Sequence, residues 1–407
     1  MKKVPMKNSY DYNNQISDSF KGRRFIIISI ILFLCFFFLV KYLRLNYFGK
    51  QSKLFEKFIL NNKVEIKNRL VIAPLTLMSS NPDGTINDEE REYLKCRGTD
   101  IGIYILGATA VSQEGISFQN MPRAFSEKDL PSLEERAKII KSQGALAINQ
   151  IHHAGALAKK EYSGLDPVSP CGNQTENIHE LTDAEIRKII DNFAYAAELS
   201  LKAGFDGIEL HGANKFLLQQ FYSAHTNHRN DEWGGSDEKR MNFILKIIDA
   251  ICNIRDKHKK PEFIIGYRLS PEEPYEDGIT MTETLKLVRA ISSKPIQYIH
   301  VSQKNYFQEA KRGEGKGSER LKLIHNETKG KVALIGVGGL NNEKDLNSAI
   351  NSEFSEFIAD GKASMLNKDF GVLLKEGKGN NLDLEFDKAH LEKYSLPSNL
   401  WKMFTSH

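Results

Sequence analysis

Residues 262–270 read EFIIGYRLS, and beyond an amphipathic stretch residues 297–302 read QYIHVS and residues 331–339 KVALIGVGG. Each is a short, nearly continuous apolar run rich in β-branched side chains, as parallel strands covered on both faces require. Working outward, the same unit recurs. RLVIAPL (69–75), IGIYILGA (101–108), ALAINQI (145–151) and GIELHG (207–212) come before these runs, and EFIADG (356–361) follows them. The segments between carry helical signals. Ile186, Ile189, Ile190, Phe193 and Ala197 share one helical face behind a Thr182/Glu185 capping box, and the pairs Ser132/Glu135 and Thr280/Glu283 repeat that start pattern. Eight strand–helix units in roughly 350 residues predict a closed (β/α)8 barrel, with an open doubly wound sheet as the alternative.

The chain has 407 residues, and 56 Lys+Arg against 52 Asp+Glu leave a net charge of only +4. That balance excludes a basic grip on nucleic acid. At 41% hydrophobic and 27% charged, the composition is that of a folded globular protein. Cys35, Cys96, Cys171 and Cys252 are far apart, so neither a zinc clip nor a disulfide framework is indicated and a reducing compartment is expected. The first fifty residues stand apart. Residues 25–40, FIIISIILFLCFFFLV, carry no charge and are apolar on every side. As a helix they span about 24 Å, and a snorkelling Lys41 lets Tyr42 and Leu43 complete a membrane crossing. No small-x-small cleavage site follows the run, so an uncleaved single-pass anchor over 25–43 is expected, with a polar tail at 1–24 and the barrel over 51–407. Basic residues flank the run on both sides and do not orient it.

In a barrel, chemistry collects at the C-terminal ends of the strands. Here those ends carry Pro74-Leu75-Thr76, Ala108, Gln150, His211, Arg268, Ser302, Gly338-Gly339 and Gly361-Lys362. His211 and Asn214, three apart after the fourth strand, can both aim N–H donors at one oxygen, as an oxyanion site needs, or can be structural. Arg268 cannot be neutralised. It either pairs with a loop carboxylate, Glu272 or Glu273, or stabilises a developing anion on a bound cofactor. The glycine turns at 338–339 and 361, the latter followed by Lys362, suit phosphate binding where backbone must approach closely. His152 and His153 are adjacent on a strand and point to opposite faces, with no acidic ligand in range, so no metal site is expected. The loop NHRNDEWGGS (227–236) reads as a fixed loop near the site, with Ser236 able to cap the next helix.

The segments NRLVIAPLT, LGATAVSQEG, NQIHHAG, GFDGIELHGAN, NHRNDEWGGS, YRLSP and LIGVGG stand in the order and spacing of the Old Yellow Enzyme family, which this chain resembles over roughly residues 53–375. The resemblance implies FMN in the barrel mouth, reduced by NADH or NADPH and reoxidised by a small electron-poor acceptor. It places Ala73, Pro74, Leu75 and Thr76 along the flavin, with the Thr76 hydroxyl near O4/N5. It places Ala108 and Gln150 at the pyrimidine side, Arg268 beside N1/O2, and Gly338, Gly339, Gly361 and Lys362 at the phosphate. His211 and Asn214 would hold the acceptor's oxygen, and His211, Asn214 and Thr76 form the catalytic set. The anchor has no counterpart in the usual soluble members, and the second domain of some larger relatives is not expected here. Two departures stand out. Lys362 occupies the place of the usual Arg, and Phe216 occupies the place of the Tyr that donates a proton to the substrate carbon.

The leading expectation is therefore a membrane-anchored FMN oxidoreductase facing the cytoplasm, where NAD(P)H is supplied, with oligomerisation left open. Two alternatives are a catalytically weakened, membrane-tethered flavin-binding protein and a barrel isomerase or aldolase using the same phosphate site. No lysine stands mid-strand for a Schiff base, which counts against one aldolase mechanism.

Overall fold

The computed structural model describes residues 33–38, 52–387 and 389–405. It divides into two units, Met1–Ser52 and Lys53–His407. In the first, residues 33–38 are helical. The rest of the 25–43 segment lies outside the described residues, among which no helix is long and apolar enough to cross a membrane.

In the second unit, eight parallel strands close into a barrel in chain order, not into an open sheet. They are β1 (Leu70–Ile72), β2 (Ile103–Ala110), β3 (Leu146–His152), β4 (Gly207–Gly212), β5 (Ile264–Leu269), β6 (Tyr298–Val301), β7 (Ala333–Val337) and β8 (Phe357–Asp360). Each strand is followed by its helix: α1 (Asp88–Leu94), α2 (Leu130–Ser142), α3 (Asp183–Lys202), α4 (Asp237–Lys257), α5 (Met281–Ile291), α6 (Arg320–Thr328), α7 (Glu343–Asn351) and α8 (Lys362–Leu366). Closure is made between β8 and β1, where Ile358, Ala359 and Asp360 register with Leu70, Val71 and Ile72. β2 runs two residues past its expected end because a bulge between Leu106 and Thr109 keeps it paired with β3.

The helix starts follow their caps. At α3, Glu185 N–H donates to Thr182 Oγ1 at 3.3 Å and Thr182 N–H returns to the Glu185 carboxylate at 2.8 Å. Ile186, Ile189, Phe193 and Ala197 then fall on one buried face against the sheet. Thr280 with Glu283 starts α5 in the same way, while at α4 the Ser236 hydroxyl alone accepts the Lys239 N–H. The Ser132/Glu135 start signal is overturned. α2 begins at Leu130 because Asp129 already takes the Ser126 N–H at 2.9 Å and Pro131 presets the first turn. Ser132 instead accepts the Ile86 N–H, and Glu135 pairs with Arg91 at 2.6 Å.

The two ends of the barrel differ. At the N-terminal end an antiparallel hairpin, Phe58–Ile59 with Glu65–Ile66, packs Phe58 against Phe357. Val71, Ile103, Ile105, Ile148, Ile264, Ile335 and Phe357 form the apolar layer above it. Polar side chains collect at the other end. The loop from β1 to α1, which borders that end, is held by a fully buried bidentate pair. Arg136 on α2 bonds Glu90 on α1 at 2.7 and 2.9 Å, and also the Ser80 hydroxyl and the Gly84 carbonyl. Ser398 and Asn399 of the C-terminal helix add bonds to Glu89 and to the Met78 carbonyl.

Removing one partner of a buried ion pair strands the other charge in low dielectric. Arg136→Met is therefore expected to lower unfolding stability in urea by about 3–5 kcal/mol, and adding Glu90→Leu to recover much of that loss. A single variant within about 1 kcal/mol of the native chain would show that the pair does not hold this loop.

Candidate active site at the mouth of the barrel

One half of the mouth is built from the ends of β1, β2 and β8. A Cβ on Gly107 would lie 1.9 Å from the Leu75 carbonyl oxygen, so glycine lets the chain after β1 cross directly over β2. That crossing brings Leu75, Thr76 and Ala108 around one small cavity of about 10 Å³. A Cβ on Gly361 would touch Leu75 and Ala73 at 3.5 and 3.7 Å. Ala73, Leu75, Thr76, Ala108 and Gly361 therefore converge as expected, with Thr76 only half-buried. After β7, Gly338 has φ +128°, and a Cβ there would clash with Gln303 O at 2.7 Å and Asn305 N at 2.8 Å. Gly339 follows at φ +65°, so both positions require glycine. Lys362 is exposed at the start of α8. The Ser364 N–H of that first turn is already taken by Asp360 Oδ1 at 2.6 Å.

The other half carries charge. Gln150 Nε2 donates to Glu209 Oε1 at 2.7 Å, and Glu209 Oε2 lies 3.0 Å from His300 Nδ1, all three side chains being fully buried or nearly so. Burial would raise the Glu209 pKa, but His300, Arg268 and Gln150 together hold it below its ordinary value, so a carboxylate anion sits inside the barrel. Arg268 is 9% exposed and faces this group. The salt-bridge reading of Arg268 is overturned. Glu272 pairs with Arg320 at 2.5 Å and receives the Lys311 and Arg312 N–H groups, while Glu273 is held by Gln219, Ser223 and the Ile279 N–H. The buried Nε of Arg268 has no hydrogen-bond partner among the described residues.

Above β3 and β4 three rings meet. His152 and His211 have centroids 5.3 Å apart, and Phe216 stands edge-on to both at 4.3 and 4.9 Å. The Ala213 N–H donates to His211 Nδ1 at 3.4 Å, which leaves the proton on Nε2. Burial, with His152 and Arg268 adding to it, puts the His211 pKa well below the ordinary range, so the ring is neutral. Asn214 is exposed at φ +59°, and its Oδ1 accepts from Ser302 at 3.1 Å over the end of β6, which leaves its amide nitrogen to donate. Two other proton-bearing side chains close to Phe216 in sequence are occupied. Tyr222 O–H donates to the Glu283 carbonyl at 2.5 Å, and Lys215 Nζ donates to Tyr275 at 2.7 Å.

The 227–236 loop is fixed, but by the excursion after β3. Arg229 binds Asp231 and the Pro170 and Leu181 carbonyls, and Trp233 Nε1 donates to Asp183 at 2.8 Å. Glu209, His300 and His152 were missed in the sequence. A signal was present, since each lies two residues along its strand from, or in register with, a rim residue already singled out: His152 from Gln150, Glu209 from His211, and His300 beside Arg268.

Residues 53–381 match the model of the NADH:flavin oxidoreductase / NADH oxidase family. The chain is 38% identical over 357 residues to the protein named "Probable NADH-dependent flavin oxidoreductase YqiG" of Bacillus subtilis (strain 168), covering 87% of this chain and 96% of that one. It is 30% identical to NADH:acrylate oxidoreductase of Vibrio harveyi and 31% identical to NADH:fumarate oxidoreductase of Klebsiella pneumoniae (strain 342), over 86% of this chain in each case. It spans only 36% and 39% of those two proteins. Among solved structures, the old yellow enzyme homologue from Zymomonas mobilis superposes with a TM-score of 0.71 at 23% identity, covering 85% of this chain and 99% of that one. Morphinone reductase in complex with tetrahydroNAD gives 0.71 at 21% identity, covering 84% and 96%. At those identities the two structures speak for the fold.

Asp360, at the end of β8, is pushed up to about 6, chiefly by burial and against the N–H bonds of Ser364 and Ala363. Between about pH 4 and 6 the folded chain keeps a proton that the unfolded chain has released, so this group's stability is full in acid and falls as pH rises through 6. Asp360→Asn is expected to remove that fall, gaining roughly 3 kcal/mol over the native chain at about pH 7.5 but not at about pH 4. Parallel thermal-unfolding curves for the two proteins across that range would refute the ionisable, buried state of Asp360.

Proposed function

The chain belongs to the NADH:flavin oxidoreductase / NADH oxidase family, and we propose that its barrel mouth passes reducing equivalents from NAD(P)H to a quinone- or nitro-type acceptor in preference to an activated alkene. The family binds FMN and uses NADH or NADPH, and its members are enzymes. The observation that carries the reading is Arg268, a buried guanidinium with an unpartnered Nε beside a fixed carboxylate. The Glu209 carboxylate offsets its charge, but a buried N–H left unpaired is unfavourable, and the N1/O2 edge of FMN would accept from it.

FMN supplies reversible hydride storage at N5 when bound; the residues around it do the rest. Ala73, Pro74, Leu75, Thr76 and Ala108 would line the ring. Gln150, whose amide nitrogen is committed to Glu209, has its carbonyl oxygen left to accept an N–H. Gly338, Gly339, Gly361 and Lys362 would hold the phosphate, Lys362 as a point charge in place of a fork. His211, neutral and carrying its proton on Nε2, would donate to the acceptor oxygen.

Phe216 supports the acceptor class. Its ring is packed against His152 and His211 and has no proton to give, and Lys215 and Tyr222 are engaged elsewhere. An alkene needs a proton placed on carbon, where a positioned acid contributes about 10²- to 10⁴-fold. Quinone and nitro oxygens exchange protons with water directly. The acceptors named for the acrylate and fumarate enzymes belong to proteins of which this chain spans little more than a third, and they are not carried over. We also propose that residues 25–43 anchor the chain in a membrane behind the polar tail 1–24, with the barrel domain, 51–407, on the cytoplasmic side where NAD(P)H is made.

The purified protein is expected to be yellow and to bleach with NADH or NADPH, and Phe216→Tyr to raise the enone-to-quinone rate ratio in single-turnover oxidation by about 10²-fold or more. A coloured protein that neither nicotinamide bleaches would mark a flavin-binding protein without this activity, and an unchanged ratio would remove the acceptor preference. The full chain is expected to sediment with membranes and to need detergent for release, because the uncharged run gains free energy by leaving water. Recovery wholly in the soluble fraction would remove the anchor.

A further inference from the structure

We propose that Glu209 is a positioning residue for the flavin: held by His300 across a gap at Gly266, it locks the Gln150 amide with its oxygen outward, so that the mouth selects a pyrimidine edge bearing an N–H. The inference deepens the flavin site proposed above and rests on it.

The barrel interior supplies the geometry. Gln150, Glu209, Gly266 and Tyr298 are register partners on β3, β4, β5 and β6, so they form one row on one face of the sheet. Gly266 gives that row no side chain. A Cβ there would lie 2.1 Å from Tyr298 Cζ, so the Tyr298 ring fills the space instead. With β5 contributing nothing at this level, Glu209 on β4 reaches past it to His300 on β6, where Oε2 lies 3.0 Å from Nδ1. Both carboxylate oxygens are then engaged, one by His300 and one by Gln150, and Glu209 makes no ion pair with Arg268 among the described residues.

Charge decides which atoms face which. Burial raises the Glu209 pKa, but His300, Arg268 and Gln150 together hold it below the ordinary value, so the acid is ionised. A carboxylate only accepts, and both neighbours must therefore donate: Gln150 through Nε2 at 2.7 Å, and His300 through Nδ1. An amide that gives its nitrogen inward turns its oxygen outward. Gln150 Oε1 makes no hydrogen bond among the described residues and is not sealed from the surface, so a ligand can reach it. The pyrimidine edge of an oxidised flavin carries O2, N3–H and O4, and N3–H is its donor. The locked amide would accept from it, whereas an inverted amide would set two donors face to face. Glutamine at 209 would fill the same space but could donate as well as accept, which frees the Gln150 amide to turn over.

The test strips the purified protein of flavin, reloads it with FMN or with N3-methyl-FMN, and reads binding from the quenching of flavin fluorescence. The native chain should hold FMN about tenfold or more tightly than the methylated form. The bulk of the methyl group is common to every variant, so a change in that ratio isolates the hydrogen bond. Glu209→Gln should lower the ratio about threefold or more, whereas a merely structural loss would weaken both flavins alike. In a Gln150→Met chain, Glu209→Gln should change the ratio no further. His300→Asn, which keeps a donor near the place of Nδ1, should retain the native ratio and His300→Leu should lose part of it, so the proposal stays testable if Glu209→Gln does not fold. A native ratio in Glu209→Gln, or equal ratios in the two His300 variants, overturns the proposal. A native chain that takes up both flavins equally removes this inference alone, and one that takes up no FMN removes the flavin reading beneath it.

Discussion

Closure of the sheet between β8 and β1 is the constraint on which everything else in the barrel domain depends. The Ala73 N–H donates to the Asp360 carbonyl at 2.9 Å, and three registered pairs below it complete the ring of strands. Once the ring closes, every strand's C-terminal end lies on one rim, and residues from 73 to 362 come within reach of one another. An open sheet would leave β1 and β8 on opposite edges, and Ala73 could not stand beside Gly361.

Closure also creates an interior that must be filled, and the two ends fill it differently. Near the N-terminal hairpin the filling is Val, Ile and Phe, which need no partners. Toward the mouth it is Gln150, Glu209, His300 and Arg268, and buried polar groups are tolerated only when paired. The first three are linked by two hydrogen bonds, which leave His300 Nε2 without a partner among the described residues. Arg268 is the member left over, and that imbalance is the strongest physical mark of a site for a bound, electron-rich group. The unpartnered nitrogens of His152 and His300 at the same end repeat the mark more weakly.

Much of the fold was legible because its signals are local. Apolar runs of strand length placed all eight strands, and the pairs Thr182/Glu185 and Thr280/Glu283 placed two helix starts because a capping box closes within four residues. Ser132/Glu135 misled for the same reason. Its pattern is as good, but an earlier capping box at Ser126/Asp129 and Pro131 had already begun the helix, and Arg91 from α1 claimed Glu135. The 227–236 loop was recognisable as fixed from its Arg, Asp and Trp, yet its partners at Pro170, Leu181 and Asp183 lie on another excursion that spacing alone does not reveal.

By itself, the sequence determined the number and order of strand–helix units and the rim on which Thr76, Gln150, His211 and Arg268 would stand. These depend on periodicity and residue chemistry, which are properties of short segments. Only the tertiary structure decided which rim residues act on one another. Glu209 and His300 are 91 residues apart and meet because β4 and β6 flank β5. The loop carboxylates that could have neutralised Arg268 were claimed by Arg320 and Gln219; Asn214, in a left-handed turn, took a bond from Ser302, and His152 came to lie beside His211. The reason is physical: a side chain's partner is set by competition among all the groups that closure brings within a few ångströms, and no local pattern contains that competition.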